Sequence, residues 1–258
     1  MASFKVEDQK ISTVFPDGSF KVKSAQENDV ITEMKAFADS FVPDSSVSDF
    51  KFITNGLFGF TSFEAVRHFE DIDFTYPEKE EKKVPDMHYF VFQNIIAINH
   101  FKNELYLFEH QCEGSGNSVV PIEQLMDLVK ATATSSASFK RVGEEQSNFT
   151  DESFLEVIAK AKAHCRRGDV FQLVVSNAFE QSFFGDDFQV YRQLRRLNPS
   201  PYLFYFDFEN YRLFGSSPEA QLIISNQQAE IHPIAGTIPR TGVQMTDDIQ
   251  LNFLLNDE

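Results

Sequence analysis

The chain has 258 residues, of which 42% are hydrophobic, so it can form one large domain or two smaller ones and is not globally disordered. Its formal net charge of −16 repels phosphate backbones, which argues against nucleic acid as a partner. No apolar run approaches the about 18 residues of a membrane span, and the start lacks the apolar core of a signal peptide. The two cysteines form no CxxC motif, so we predict a cytoplasmic protein with reduced thiols and no membrane contact.

The first half of the chain alternates apolar runs of strand period with stretches of helical spacing. These patterns first predict a β-hairpin over residues 3–23, with one strand over 3–14 and a turn at 16–18, and then a helix over 28–41 capped by Asn28 or Asp29. A strand over 50–60, a short helix over 63–69 and a charged loop over 77–86 follow. The last predicted elements of this half are strands over 89–98 and 104–108 and a helix over 122–129. Gly56 and Gly59 indicate that another backbone approaches the strand over 50–60 closely. We interpret the lone His68 as a structural residue and the polar residues 130–147 as a linker.

The second half of the chain has clearer element boundaries. It first predicts a helix capped by Thr150 and closed by Gly168, a strand over 170–177, and a helix over 187–197 with Phe188, Tyr191 and Leu194 facing inward. Four strands over 202–208, 211–215, 220–225 and 229–234 follow, and then an amphipathic helix over 251–258. Strands joined by short turns predict an antiparallel meander, and with the helices the fold class is α+β, with antiparallel β-sheets packed with helices. The last helix has no stop signal, so we expect a piece of a longer protein.

Two stretches, residues 214–224 and 232–242, combine small and hydroxyl residues with one group suited to acid chemistry or anion binding. Glu219 in the first is either a surface turn glutamate or a general acid at the mouth of a sheet. Arg240 in the second either binds a carboxylate with two hydrogen bonds or lies on the surface. The residues alone leave these alternatives open.

Three further residues are candidates for contact with a small anion. Gln172, flanked by apolar residues in the predicted strand, is either a structural amide or a group lining a pocket. Gly236 permits a ligand to approach the backbone, and Thr237 offers a hydroxyl and a backbone N–H to a carboxylate. Composition and spacing therefore indicate an α+β chain with a candidate small-anion pocket.

Four segments in order, residues 168–177, 198–204, 215–219 and 233–242, resemble the chorismate-utilising enzymes, most closely the group of anthranilate synthase component I. The resemblance is specific over residues 148–258 and looser in the first half. It implies a β-sandwich-with-helices fold that is incomplete in this chain. Residues 1–147 would be the N-terminal region and 148–258 the first half of the chorismate-binding domain.

The resemblance also implies roles for the candidate residues. Glu219 corresponds to the proposed acid for loss of the 4-hydroxyl group, and Gly236, Thr237 and Arg240 to substrate-binding positions. Gln172 stands where isochorismate and salicylate synthases have a lysine that activates water, so glutamine fits an enzyme that adds ammonia instead.

Other positions refine this comparison. Ala235 stands where aminodeoxychorismate synthases typically have lysine, which fits anthranilate synthase. Ile238 replaces the usual arginine, which weakens any role for that position. Pro201, Tyr202 and Leu203 match part of the family's feedback site for L-tryptophan.

The implied reaction converts chorismate and ammonia to anthranilate and pyruvate, with Mg²⁺ as cofactor and a glutamine amidotransferase subunit as the source of ammonia. The metal ligands are expected beyond Glu258, so none is named here and the chain alone is expected to be inactive. Two alternatives remain: an aminodeoxychorismate synthase component I, and a non-catalytic module that senses tryptophan.

Overall fold

The structure is a computed structural model that describes residues 1–26, 29–42, 54–72, 74, 84–112, 120–131, 138–225, 227–234 and 237–256. The chain divides into two units, Met1–Ala133 and Thr134–Glu258. The predicted domains 1–147 and 148–258 stay a prediction. The predicted charged loop over 77–86 lies mostly outside the described residues.

The first unit is built on a five-stranded antiparallel sheet in the order β3-β2-β1-β5-β4. Its strands are β1 (Ala2–Glu7), β2 (Lys10–Val14), β3 (Phe20–Ser24), β4 (Phe58–Thr61) and β5 (Met87–Val91), and helix α1 (Val30–Asp39) packs on it. Phe4 and Val6 of β1 alternate towards α1 and contribute, with Phe37 of that helix, to the buried core. Asp29 caps α1, as predicted, because its side chain accepts a hydrogen bond from the N–H of Ile31.

Two predicted strands of this unit are each broken in the structure. The prediction of one strand over 3–14 is wrong, because Asp8 and Gln9 adopt positive φ of 49° and 58° and reverse the chain. The prediction of one strand over 89–98 is also wrong: β5 ends at Val91, and β6 (Asn94–Asn99) begins a separate hairpin with β7 (Glu104–Glu109). Helix α2 (Ile122–Lys130) follows, as predicted.

Contacts around β4 bear out two interpretations of single residues. A Cβ on Gly59 would clash with the backbone carbonyl of His88, so the predicted close approach of another backbone is confirmed there, but it is wrong for Gly56, which has open space around it among the described residues. His68 ends the short 3₁₀ helix Phe63–His68, and its Nε2 lies 3.0 Å from a carboxylate oxygen of the buried Asp86. Arg67 donates to both oxygens of the same carboxylate, at 3.0 and 2.9 Å, so His68 has a structural role.

The second unit contains four antiparallel strand pairs and three helices among its described residues. Its elements are β8 (Phe139–Arg141), β9 (Gln146–Ser147), α3 (Asp151–Arg167), β10 (Phe179–Glu180), β11 (Phe183–Gly185), α4 (Phe188–Leu197), β12 (Tyr202–Asp207), β13 (Arg212–Ser217), β14 (Ile223–Ser225), β15 (Gln228–Glu230) and α5 (Gln244–Leu255). Thr150 caps α3 by accepting from the N–H of Ser153 at 3.2 Å, and Gly168 closes it with a φ of 77°, both as predicted. The α+β class with antiparallel sheets is confirmed.

Four predictions for this unit need correction. Residues 170–177 form no regular element and, within the described part of the chain, pair with no strand, so the predicted strand is wrong. The predicted linker contains β8 and β9, which pair with β11 and β10. The predicted meander is instead two separate hairpins, β12–β13 and β14–β15. The last helix begins at Gln244 rather than at residue 251.

In the part of the chain that the structure describes, no helix combines the length and the apolarity that a membrane span requires.

His88 makes the first unit sensitive to acid. Burial and, to a lesser extent, the charge of the nearby Lys5 lower the pKa of His88 from 6.5 to about 4, and the charge of Glu7 partly opposes this shift. The unfolded chain therefore binds the proton first, so stability present above about pH 6.5 is lost as the pH falls towards about 4. We expect His88→Gln to reduce this loss, measured by urea unfolding followed by circular dichroism at several pH values.

The matched control is His100→Gln, because His100 is exposed. An equal acid sensitivity of the His88→Gln and His100→Gln variants would contradict this prediction.

Candidate functional site

The β12–β13 hairpin brings together two segments that the sequence singles out separately. Tyr202 lies opposite Ser217 and Leu203 opposite Ser216 in the antiparallel register. The start of β12 therefore lies beside the end of β13, from which the chain runs directly to Glu219. Residues 201–203 and 216–219 form one continuous piece of backbone structure, and we call it the hairpin end.

Aromatic side chains attach this hairpin to α4. The rings of Tyr205 and Phe214 stack with centroids 5.7 Å apart, and Phe188 of α4 meets Tyr205 edge-on at 5.0 Å. Within the hairpin, the ring of Phe204 lies directly against Gly215. A Cβ at position 215 would clash with that ring. The predicted inward face of α4 is confirmed for Tyr191, whose ring lies 6.1 Å from that of Phe214, whereas Phe188 contacts the hairpin but is 41% exposed.

A half-buried polar cluster fixes the same contact. The hydroxyl of Tyr205 donates to Asp187 at 2.9 Å, and burial together with this hydrogen bond raises the pKa of Tyr205 to about 12. Arg212 of β13 lies between Asp187, at 3.5 Å, and Asp207, at 3.1 Å. The helix and both strands are thus joined by charges as well as by rings, a cluster that the sequence pattern did not reveal.

The backbone around Glu219 is held by two serines. The hydroxyl of Ser217 accepts from the N–H of Glu219 at 3.3 Å and donates to its carbonyl oxygen at 3.0 Å. Ser216 donates to the carbonyl oxygen of Asn198 at 2.6 Å, which ties the hairpin to the turn after α4. The side chain of Glu219 is exposed. The turn therefore positions the backbone of the candidate acid and leaves its carboxyl group in water.

The second candidate stretch leads into α5. Gly236 and Ala235 lie outside the described residues, and Thr237 and Arg240 are exposed. Asp247, in the first turn of α5, accepts from the N–H of Thr241 at 2.7 Å, from its hydroxyl at 2.8 Å and from the N–H of Gly242 at 3.2 Å. These hydrogen bonds lower the pKa of Asp247, and the charge of Arg240 contributes in the same direction. Asp247 thus folds the segment after Arg240 onto the start of the helix.

The structure does not assemble all candidates into one site. Gln172 lies in the unpaired segment 170–177 and is exposed. Among the residues that the structure describes, no hydrogen bond or ion pair joins the side chains of Gln172, Glu219, Thr237 and Arg240 to one another. The candidate site is therefore a set of separate exposed groups, of which the hairpin end is the best ordered.

The described ranges also contain no group of three or more His, Cys, Asp and Glu residues that could hold a metal ion. Magnesium prefers octahedral oxygen coordination, so these residues offer it no ready donor set.

Two residues that shape the site were missed by the sequence reasoning. Asp247 could have been found, since an acidic residue in the first turn is a signal for a helix start, but the helix was predicted to begin later. Ser217 gives no separate signal, because a serine before a proline is common in any turn.

Comparison with known proteins places these observations in a family context. A family model described as chorismate binding enzyme matches residues 4–258. Anthranilate synthase component 1 of Aquifex aeolicus (strain VF5) is 30% identical over 285 aligned residues, which cover 100% of this chain and 53% of that protein. The protein of the same name from Saccharolobus solfataricus is 32% identical, and the alignment covers 79% of this chain and 44% of that protein.

A solved structure agrees with the fold. The crystal structure of anthranilate synthase component I from Streptococcus pneumoniae TIGR4 matches with a TM-score of 0.73 at 24% identity, covering 100% of this chain and 55% of the other. At this identity the match concerns the fold alone. The chain spans about half the length of the curated relatives it matches.

The contact of Asp247 with residues 241–242 can be tested by substitution. We expect Asp247→Ala to speed amide hydrogen exchange over residues 241–246, because two backbone N–H groups lose their acceptor. Hydrogen exchange measured by mass spectrometry would detect the change. Asp248→Asn is the control, since it also removes an aspartate charge, but the Asp248 side chain accepts a hydrogen bond from Gln244 within the helix. Equal exchange in the two variants would contradict the role given to Asp247.

Proposed function

The chain belongs to the family of chorismate binding enzymes, and from this premise we propose that it forms part of an anthranilate synthase component 1. The reaction converts chorismate and ammonia to anthranilate, pyruvate and water. The observation that carries the proposal is the 30% identity to a protein of that name over the whole of this chain. Gln172 and Ala235 support it, because neither side chain is the lysine that we associate with the neighbouring activities.

In this proposal Glu219 is the general acid. It donates a proton to the oxygen of the 4-hydroxyl group, which leaves as water while ammonia forms a C–N bond at C2. Loss of pyruvate from that intermediate then gives the aromatic ring of anthranilate. The amide of Gln172 is not basic enough to take a proton from water, which favours ammonia over water as the nucleophile.

Glu219 needs a more enclosed site than the described residues provide. A carboxyl group serves as a general acid when poor solvation favours its neutral form. Since Glu219 is exposed, we expect catalysis to require further polypeptide over the hairpin end.

The second stretch would bind the substrate. Chorismate carries carboxylates, and the guanidinium of Arg240 can bind one with two parallel hydrogen bonds. Such a group is needed locally because the chain as a whole carries a net charge of −16. Gly236 and Thr237 would add backbone and hydroxyl contacts to the same substrate.

Three features of the proposal come from the resemblance alone. Magnesium would neutralise the substrate carboxylate, and a glutamine amidotransferase subunit would supply ammonia. L-tryptophan would be the feedback inhibitor. Because the described residues offer no metal donor set, we expect the chain alone to form no anthranilate.

The test uses this chain with and without the part of the Aquifex aeolicus relative that it does not match, produced separately and called the complementing polypeptide. With chorismate, ammonia and Mg²⁺, we expect anthranilate fluorescence only from the mixture. Glu219→Gln should then lower kcat by about 10²- to 10⁴-fold, as is typical for loss of a general acid. Glu209→Gln, in the turn of the same hairpin, is the control and should have little effect.

Three results would overturn parts of this proposal. Turnover by the chain alone would contradict its expected inactivity. Formation of 4-amino-4-deoxychorismate instead of anthranilate would assign the chain to aminodeoxychorismate synthase. Equal rates for the Glu219→Gln and Glu209→Gln variants would remove Glu219 from the chemistry.

The hairpin end also supports a regulatory role for residues 201–203. Tyr202 is 42% exposed and pairs with Ser217, which holds the backbone of Glu219, so a ligand on Tyr202 could displace the acid. We expect Tyr202→Ala to weaken inhibition of the mixture by L-tryptophan. Phe101→Ala is the control, because Phe101 is an exposed aromatic residue of the other unit.

Binding can also be followed directly by fluorescence. Because this chain contains no tryptophan, the indole fluorescence of a mixture of the chain and L-tryptophan comes from the ligand. Equal inhibition of the Tyr202→Ala and Phe101→Ala variants would contradict the assignment. Tryptophan binding with no chorismate binding in the mixture would favour the non-catalytic sensing module.

A further inference from the structure

The second unit leaves most of its apolar side chains in water. Among its described residues Phe208 is the one hydrophobic residue that is buried, whereas the first unit has a contiguous core. Phe171 is fully exposed and Val174 is 84% exposed. Exposed apolar surface on this scale is typical of an interaction surface.

Residues 170–177 have the sequence of a buried strand without the pairing of one. The run is nearly continuous in apolar residues, as in strands that are covered on both faces. In the structure it has no regular secondary structure and forms no ladder with a described strand. Its backbone N–H and C=O groups are therefore available to pair with a strand from elsewhere.

A groove beside this segment has an apolar floor and a basic rim. It lies between α3 and residues 173–175 and has a volume of about 350 Å³. Its apolar lining is Ile158, Ala161, Cys165, Leu173 and Val175. Lys162 and Arg166 complete the lining with two positive charges, in a chain whose net charge is −16. A partner that fits would insert apolar side chains and place acidic groups at the edge.

The comparisons indicate what covers this surface. The fold of this chain matches all along its length with a TM-score of 0.73, but accounts for 55% of the Streptococcus pneumoniae chain. It likewise covers 53% of the Aquifex aeolicus protein. These two relatives therefore contain about as much additional polypeptide again, which is a candidate to cover the exposed surface.

We propose that residues 170–177 and the α3 groove are the docking surface for the polypeptide that corresponds to the unmatched part of these relatives. A strand of that polypeptide adds to residues 170–177, and its apolar side chains fill the groove. The surface is the same whether that polypeptide is continuous with this chain or separate from it. The inference depends on the family's fold and not on which reaction the enzyme performs.

A second copy of this chain fits the surface less well. In a two-fold symmetric dimer the same patch meets itself, so the groove residues Lys162 and Arg166 of both copies would approach one another. Like charges at an interface disfavour association. The positive charges of Lys162 and Arg166 therefore favour a different polypeptide over a second copy of this chain.

The experiment mixes this chain with the complementing polypeptide in the absence of chorismate. We expect a 1:1 complex by analytical ultracentrifugation and slower amide hydrogen exchange over residues 170–177. Val174→Lys should weaken the complex by at least about tenfold, because it places a charge in an apolar interface. The control is Gln193→Lys, which adds the same charge to an exposed position of α4.

Several outcomes would overturn the proposal. No association, no protection over residues 170–177, or equal weakening by Val174→Lys and Gln193→Lys would each do so. Self-association of this chain that Val174→Lys abolishes would assign the surface to a second copy instead. A complex that forms normally but makes no anthranilate would leave the docking surface in place and count against the proposed function alone.

Discussion

The antiparallel register of β12 and β13 is the constraint on which the candidate site depends. It is fixed from both sides: by rings packed against α4 and by the hydrogen bonds of Ser216 and Ser217 at the open end. A slip by one residue would turn Tyr205 away from α4 and move Ser217 away from Tyr202. Order at the hairpin end is therefore a consequence of packing some distance away from it.

The two units differ in how they obtain their stability. In the first, a sheet and a helix close on a shared core, and an ion-paired cluster around Asp86 is buried at its edge. In the second, described helices bury none of their residues fully, so its order depends on local capping and on aromatic pairs. Such a unit gains more from a partner than the first unit does, because most of its apolar surface is still to be buried.

The sequence predicted the ends of those helices that have capping residues. Thr150 and Gly168 bound α3, and Asp29 begins α1, because caps act within a few residues. The turn at Asp8 and Gln9 was missed because neither residue is the glycine or asparagine that usually marks a positive φ. The strand over 170–177 was predicted from a correct pattern, but a strand also needs a partner, which its own sequence does not contain.

The sequence also predicted only part of the candidate site. The motifs identified Glu219 and residues 201–203 one at a time, and the resemblance gave them roles. That the two lie side by side follows from strand register, which is set by contacts between distant residues. Asp247 acts through backbone groups of residues 241–242, a partnership that a list of conspicuous side chains does not include.

The contact of Asp187 with Tyr205 has a consequence for the cooperativity of folding. Asp187 stands at the start of α4, yet its carboxylate binds Tyr205 and Arg212, and the neighbouring Asp186 caps the helix by accepting from the N–H of Phe188. Asp187 contacts residues 18 and 25 positions further along the chain, so these contacts close loops of moderate length, and the entropy cost of closing such loops grows only slowly with their length. The segment from α4 through β13 can therefore form as one cooperative unit that holds the hairpin end in place through its own contacts.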